Sequence, residues 1–261
     1  TGPVVLYLNA CTPLGIEQPE VGRLLGGFAR AGYVAVAPEL PRVKDGEVTP
    51  ATVDAVVAVA GATGRPVTLI GASTGAGLAI IAAADPRLAA RVSAVAAIAP
   101  FASLRNLLQL GTTGWYADRP FAASSLVARA TTRSLAAVAP GDPAVGALLD
   151  NTDPARFDAL YAALAPETRA LVEDLSPLAR IADVAAPVEL VASPSDRFFP
   201  VDEARALRRA GRNVRLTVTD GLEHVRPRFR PGLVRVLRAL DRTLRRASVE
   251  PVLDLQPPLA A

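Results

Sequence analysis

Short apolar runs and stretches in which apolar residues recur every three or four positions take turns along most of this chain. The runs at residues 4–9, 33–37, 66–70, 92–98, 188–192 and 214–219 are rich in Val, Ile, Leu and Ala. They predict strands, the first of them a buried parallel one. Residues 19–30 place Val21, Leu24, Leu25 and Phe28 on one face of a helix, and Gly32 follows where a helix end favours positive φ. Thr49 and Pro50 offer an N-cap and a first-turn proline for a helix to about Ala60. A further helix is expected from about Thr74 to Ala84. Strands that alternate with helices imply right-handed crossovers and an α/β architecture, a doubly wound, mostly parallel sheet with helices on both faces.

The alternation stops between residues 102 and 175, where helical patterns and turn signals such as Pro140-Gly141-Asp142-Pro143 occur without a convincing strand. This predicts a helical lid at residues 102–175, inserted into a core made of residues 1–101 and 176–261. Near the end of the chain, Leu233, Val236, Leu237, Leu240 and Leu244 share one helix face, with Arg235, Arg238, Arg242 and Arg245 on the other. That pattern predicts a helix packed on the core with a solvated basic face. The tail from Ser248 carries Pro251, Pro257 and Pro258 and is expected to be an irregular strap or disordered.

The strongest chemical signal is Gly71-Ala72-Ser73-Thr74-Gly75, set between an expected strand and an expected helix. A serine on such a tight turn is pushed out of the sheet at a helix N-terminus, and flanking glycines allow the close backbone approach this needs. A dinucleotide-binding fingerprint is the competing glycine pattern. It fails, because the third glycine position counted from Gly75 and Gly77 is Ile80. The single histidine, His224, follows the last expected strand by a few residues and becomes the candidate general base. Asp196, just past the strand at 188–192, becomes the acid that holds the imidazole Nδ1 proton and orients the ring. Asp220 and Glu223 stand too close to His224 in sequence to approach it from a neighbouring strand end. An oxyanion hole needs two backbone N–H donors. Thr74, next to the nucleophile, and Cys11, in the loop after the first strand, are the candidates.

The elbow, the order Ser73, Asp196, His224 and the strand pattern together resemble the α/β-hydrolase superfamily over the chain from Val4 to about Arg246. The resemblance implies a sheet of about eight strands, a lid, and ester or amide hydrolysis with no cofactor and no metal. Two departures stand out. Asn9-Ala10 occupies the position where many relatives carry His-Gly, and the chain starts at the family's third strand without the antiparallel pair that usually opens the fold. If nothing lies upstream, the strand at 33–37 would be an unprotected sheet edge. A serine at the elbow points away from the dehalogenase and epoxide-hydrolase branches, which resemble this fold but use aspartate there. Esters, thioesters and amides remain. A carboxylic-ester hydrolase is the favoured expectation, with a peptidase of the prolyl-oligopeptidase sort or a non-catalytic binding relative as alternatives. Trp115, Tyr116, Phe121, Phe157 and Tyr161 either wall a substrate pocket, Trp115 and Tyr116 foremost, or hold the lid on the core.

Composition narrows the rest. One cysteine excludes an internal disulfide, and one histidine excludes a His-rich zinc site. The net charge of +3 rests on arginine, with Lys44 the only lysine, and no nucleic-acid motif accompanies it. A small-molecule ester is the expected partner, not a nucleic acid. No apolar stretch reaches the roughly 18–20 residues of a membrane span. The chain begins at Thr1 without a charged-then-apolar leader, which suggests that its start has been removed; cytoplasm is the default expectation, and a missing leader or anchor would change it.

Overall fold

The computed structural model describes residues 2–247 except Ser124. The proline-rich tail from Ser248 lies outside the described residues. In chain order the first half comprises β1 (Val4–Leu8), α1 (Pro19–Arg30), β2 (Val34–Val36), α2 (Pro50–Ala62), β3 (Val67–Ala72), α3 (Thr74–Ala83) and β4 (Val92–Ile98). Next come α4 (Leu104–Thr113), a small ladder of β5 (Trp115–Tyr116) and β6 (Arg119–Pro120), then α5 (Ser125–Val138), α6 (Ala144–Leu149), α7 (Phe157–Ala162) and α8 (Pro166–Asp174). The chain re-enters the sheet through α9 (Pro177–Arg180), β7 (Val188–Ala192), α10 (Val201–Ala210) and β8 (Val214–Val218). It continues with a second ladder, β9 (Leu222–Glu223) and β10 (Arg226–Pro227), and α11 (Leu233–Ala247).

All the expected strands form, and they make one six-stranded parallel sheet in the order β2-β1-β3-β4-β7-β8. Alternation along β1 shows how the layers are built. Val4, Leu6 and Leu8 join the cluster that contains Val56 of α2 and Leu78 of α3, whereas Val5 and Tyr7 pack with Val21 and Phe28 of α1 and with Leu240 of α11. One face of the sheet is thus covered by α2, α3 and α10, through its Leu207, and the other by α1 and α11. The helix boundaries follow the local signals. Thr49 Oγ1 accepts from Thr52 N at the start of α2, and Gly32 adopts φ +91° just past α1.

From β1 the chain winds out to β2, then returns to place β3 on the other side of β1. In such sheets a crevice opens at the carboxyl ends of the two strands where the order reverses. Here those ends are Asn9 to Cys11 and Ser73.

Several expectations are corrected. The main sheet has six strands rather than about eight; β2 lies at its edge, where an edge strand was expected, with Val34 40% exposed. Between β4 and β7 the chain is mainly helical but also forms the β5–β6 ladder, which at two residues per strand leaves no periodicity to detect. Leu237 is 57% exposed, and the buried stripe of α11 runs instead through Val236, Ala239 and Thr243. Arg242 is not on a solvated face. Its guanidinium donates to both oxygens of the buried Glu189 on β7, at 2.8 and 2.7 Å, and so fastens α11 to the sheet. No described helix is long and apolar enough to cross a membrane.

Candidate active site

Ser73 stands between β3 and α3 with φ +54° and ψ −118°, a conformation that costs a non-glycine residue of order 1–3 kcal/mol and is held only by its surroundings. Those surroundings are backbone. Ser73 N donates to Ile98 O at 2.8 Å, and a Cβ on Gly75 would lie 2.1 Å from Leu8 O. A Cβ on Gly71 would lie 2.2 Å from Gly75 O. Both glycines are therefore required by the close approach of β1, β3 and α3. The turn leaves Ser73 at the head of α3, where the first N–H groups of the helix, that of Thr74 included, have no carbonyl of their own turn to bond.

Asp196 comes from the loop after β7. Its Oδ1 accepts from Phe198 N (2.7 Å) and Phe199 N (3.0 Å), so the carboxylate is fixed by its own loop before it meets any partner. Its Oδ2 accepts a hydrogen bond of 2.8 Å from His224 Nδ1, with both side chains almost fully buried. His224 is the first residue of the two-residue turn that joins β9 to β10 and adopts φ +52°. Phe198 stacks on the imidazole at 4.2 Å between centroids and Phe199 meets it edge-on at 5.5 Å. Asp220 and Glu223 face elsewhere, toward Arg230 and Arg228 respectively.

The same two phenylalanines line a cavity of about 40 Å³ onto which Ser73, Thr74 and Cys11 also open. Ser73, Asp196 and His224 are thus gathered at one end of the sheet. The Ser73 hydroxyl forms no hydrogen bond to His224 in this conformation. Cys11 shares the cavity wall, and its thiol donates to Lys44 O at 3.3 Å. Burial, reinforced by Asp45, pushes that thiol above its ordinary pKa. Asn9 holds the Cys11 loop in shape. Its Nδ2 donates to Gly15 O at 2.6 Å and to Thr12 Oγ1 at 3.1 Å.

Trp115 and Tyr116 do not line this cavity. Tyr116 is buried among Phe101, Leu107 and Phe199, and its hydroxyl donates to Glu203 Oε1 at 2.7 Å. Burial, then the Glu203 charge, raises its pKa far above the usual phenol value. Phe157 and Tyr161 stack on each other inside the main core, with the Arg105 guanidinium over both rings. Those aromatics fasten the segment rather than face a ligand. The residues that do wall the cavity, Phe101, Leu104, Leu107, Leu126, Val127 and Phe199 among them, are ordinary apolar positions that no motif distinguishes.

Sequence reasoning also missed Glu203. This side chain, fully buried in the first turn of α10, accepts from Ala102 N (2.6 Å), Ser103 N (2.9 Å), Asn106 Nδ2 (2.9 Å) and Tyr116 Oη (2.7 Å). It ties the start of the segment after β4 to the element that follows Asp196. Among the described residues, no group of three or more His, Cys, Asp or Glu side chains is placed to hold a metal ion.

Comparison with known proteins gives a consistent result. The profile of the Alpha/beta hydrolase family matches residues 18–236. Among solved structures, the 2,6-dihydroxy-pseudo-oxynicotine hydrolase superposes with a TM-score of 0.60 at 16% identity over 98% of this chain and 65% of its own. This chain therefore spans about two thirds of that hydrolase's length. Est1E from Butyrivibrio proteoclasticus gives 0.59 at 13% identity, over 95% of this chain and 90% of its own. The proline iminopeptidase of Mycobacterium smegmatis gives 0.57 at 16% identity, over 94% and 90%. Such identities establish a common fold and nothing finer. No curated protein matches the chain.

Proposed function

Because the chain belongs to the alpha/beta hydrolase family, we propose that it is a serine hydrolase that cleaves carboxylic esters through an acyl-enzyme on Ser73. The observation that carries this proposal is the buried 2.8 Å hydrogen bond from His224 Nδ1 to Asp196, at the end of the sheet where Ser73 occupies a strained turn. With Nδ1–H committed to the carboxylate, Nε2 is the basic nitrogen.

In the proposed reaction Ser73 Oγ attacks the ester carbonyl as His224 Nε2 takes its proton, and Asp196 stabilises the imidazolium that results. Negative charge gathers on the carbonyl oxygen, opposite the backbone N–H groups of Thr74 and Cys11. His224 then gives its proton to the departing alcohol. Water, deprotonated by the same nitrogen, cleaves the acyl-enzyme and restores Ser73. The Ser73–His224 contact has to close for this to happen, and catalytic hydrogen bonds commonly tighten only around a substrate. The Cys11 thiol, held protonated by burial, contributes no nucleophile.

Residues 102–175 act as the lid in this proposal. Leu104, Leu107, Leu126 and Val127 support that role, since they wall the Ser73 cavity from α4 and α5. The experiment is covalent labelling with a fluorophosphonate beside turnover of p-nitrophenyl esters and aminoacyl anilides. Wild type should label and hydrolyse esters. Ser73→Ala should not label, and its turnover should fall by about 10⁶-fold, as for triad knockouts elsewhere. Near-normal turnover in Ser73→Ala, or anilides cleaved faster than esters, would overturn the assignment.

A further inference from the structure

The cavity at Ser73 is small, about 40 Å³ in volume, against the roughly 300–1,000 Å³ of pockets that take drug-sized ligands. Apart from the polar groups at Ser73, Thr74, Cys11 and Ser134, it is walled mainly by apolar side chains. Those walls are fastened from behind. Ser134 of α5 accepts from Val48 N (3.0 Å) and donates toward Gly46 O (3.1 Å) and Ala130 O (2.9 Å), which ties α5 to the loop before α2. At that junction a Cβ on Gly46 would lie 2.5 Å from Ala130 Cβ. The opposite wall is as tight, for Phe101 rests on α3 where a Cβ on Gly77 would lie 2.2 Å from its ring. A pocket held in this way does not deepen by small side-chain shifts.

We propose that this cavity is the acyl pocket and that its size restricts the enzyme to esters of short acids, acetyl and propionyl groups, with the alcohol left free to vary. The inference rests on Ser73 being the acylated nucleophile. The acyl group stays bonded to Ser73 through both half-reactions, so it is the part of the substrate that a narrow, firmly walled pocket beside Ser73 suits. The alcohol must leave for solvent after the first half. Fatty-acyl esters are excluded because each methylene without room, like each one missing from a fitted pocket, changes specificity by about tenfold or more.

The test is kcat/KM for p-nitrophenyl esters from acetate to dodecanoate, run beside acetates of alcohols from methanol to octanol, with fluorophosphonate labelling of the same preparation. Acetate or propionate should be best, with at least a tenfold fall by hexanoate, while the acetate series should change by less than about tenfold across the alcohols. Leu107→Ala and the half-buried Leu126→Ala each remove one wall, and either should move the optimum toward butanoate or hexanoate. Octanoate hydrolysed as well as acetate by a labelled enzyme would overturn the acyl-size inference and leave the hydrolase standing. So would steeper dependence on the alcohol than on the acid, or labelling without turnover of any ester in the series. Absence of both labelling and turnover would overturn the hydrolase proposal itself.

Discussion

Helix α3 and the segment that carries α4 and α5 both contribute side chains to the main apolar core, yet they are held by different means. All ten residues of α3 are buried, and the helix lies so close to β1 that only glycine fits at position 75. Backbone packs on backbone there, and apolar surface does the rest. The segment after β4 has apolar faces as well, but its placement depends on single polar side chains, of which Glu203, Ser134 and Ser176 are buried. Glu203 gathers its beginning, Ser176 accepts from Leu104 N, Ser134 fixes α5, and Asp142 accepts from Ala165 N and Thr168 Oγ1. Apolar packing tolerates rearrangement at constant volume, whereas a buried donor without an acceptor has no second-best partner. The difference suggests that the core sets stability and the segment after β4 sets position.

The largest effect is expected where the core is tightest. Gly75→Ala would drive a methyl group into Leu8 O, and no flexible side chain is there to yield; a loss above about 4 kcal/mol is expected, visible as failure to give a cooperative thermal transition. A well-folded Gly75→Ala protein would mean that α3 can move away from β1, which would break the comparison from the side of the core. Glu203→Ala comes next. It leaves Ala102 N, Ser103 N, the Asn106 amide and the Tyr116 hydroxyl without their acceptor, and a loss of about 3 kcal/mol is expected, from roughly 1–3 kcal/mol for each of the two buried groups, Ala102 N and the Tyr116 hydroxyl, while the other two are only partly buried. Hydrogen exchange would sharpen the contrast: amides in residues 102–120 should lose protection while β3 and β4 keep theirs. Equal loss in both regions would show a single cooperative unit. The smallest effect is Ser134→Ala, about 1 kcal/mol for the acceptor of Val48 N. Its more telling readout is acyl-chain preference, which should broaden as α5 loosens.

The same contrast governs what could be read from residues alone. The strands of the main sheet were legible because strands of a parallel sheet covered on both faces are short, mainly apolar runs, and here they alternate with helical patterns. The elbow was legible because its glycines are demanded by backbone geometry. Polar anchors leave no such trace. Glu203 sits where an acid in the first turn of a helix is expected to face solvent and complement the dipole, so its burial could not be read from its position. Trp115 and Tyr116 were expected at the pocket because aromatics draw attention; the wall is built instead from leucines, valines and phenylalanines that serve equally well as core. Leu237 shows the limit of helical periodicity, since Ala239 and Thr243 bury the stripe that larger side chains seemed to mark. The proximity of Asp196 to His224 followed from strand order, but the Phe198–Phe199 clamp on the imidazole did not, because nothing in a pair of adjacent phenylalanines says which ring they will enclose.

The positive φ at Ser73 has a consequence for how this protein would respond to breeding in the laboratory. Glycine occupies that region of backbone space without penalty, so the exchange that would most relax the turn is also the one that deletes the hydroxyl. Ala99 and His224 adopt positive φ as well, at +52° each, and they lie against the same end of the sheet. A library sorted only for survival on heating is therefore drawn toward glycine at these positions and away from the chemistry proposed for Ser73 and His224. Directed evolution of a hardier variant has to score every round on turnover, or find its gains on the far side of the sheet.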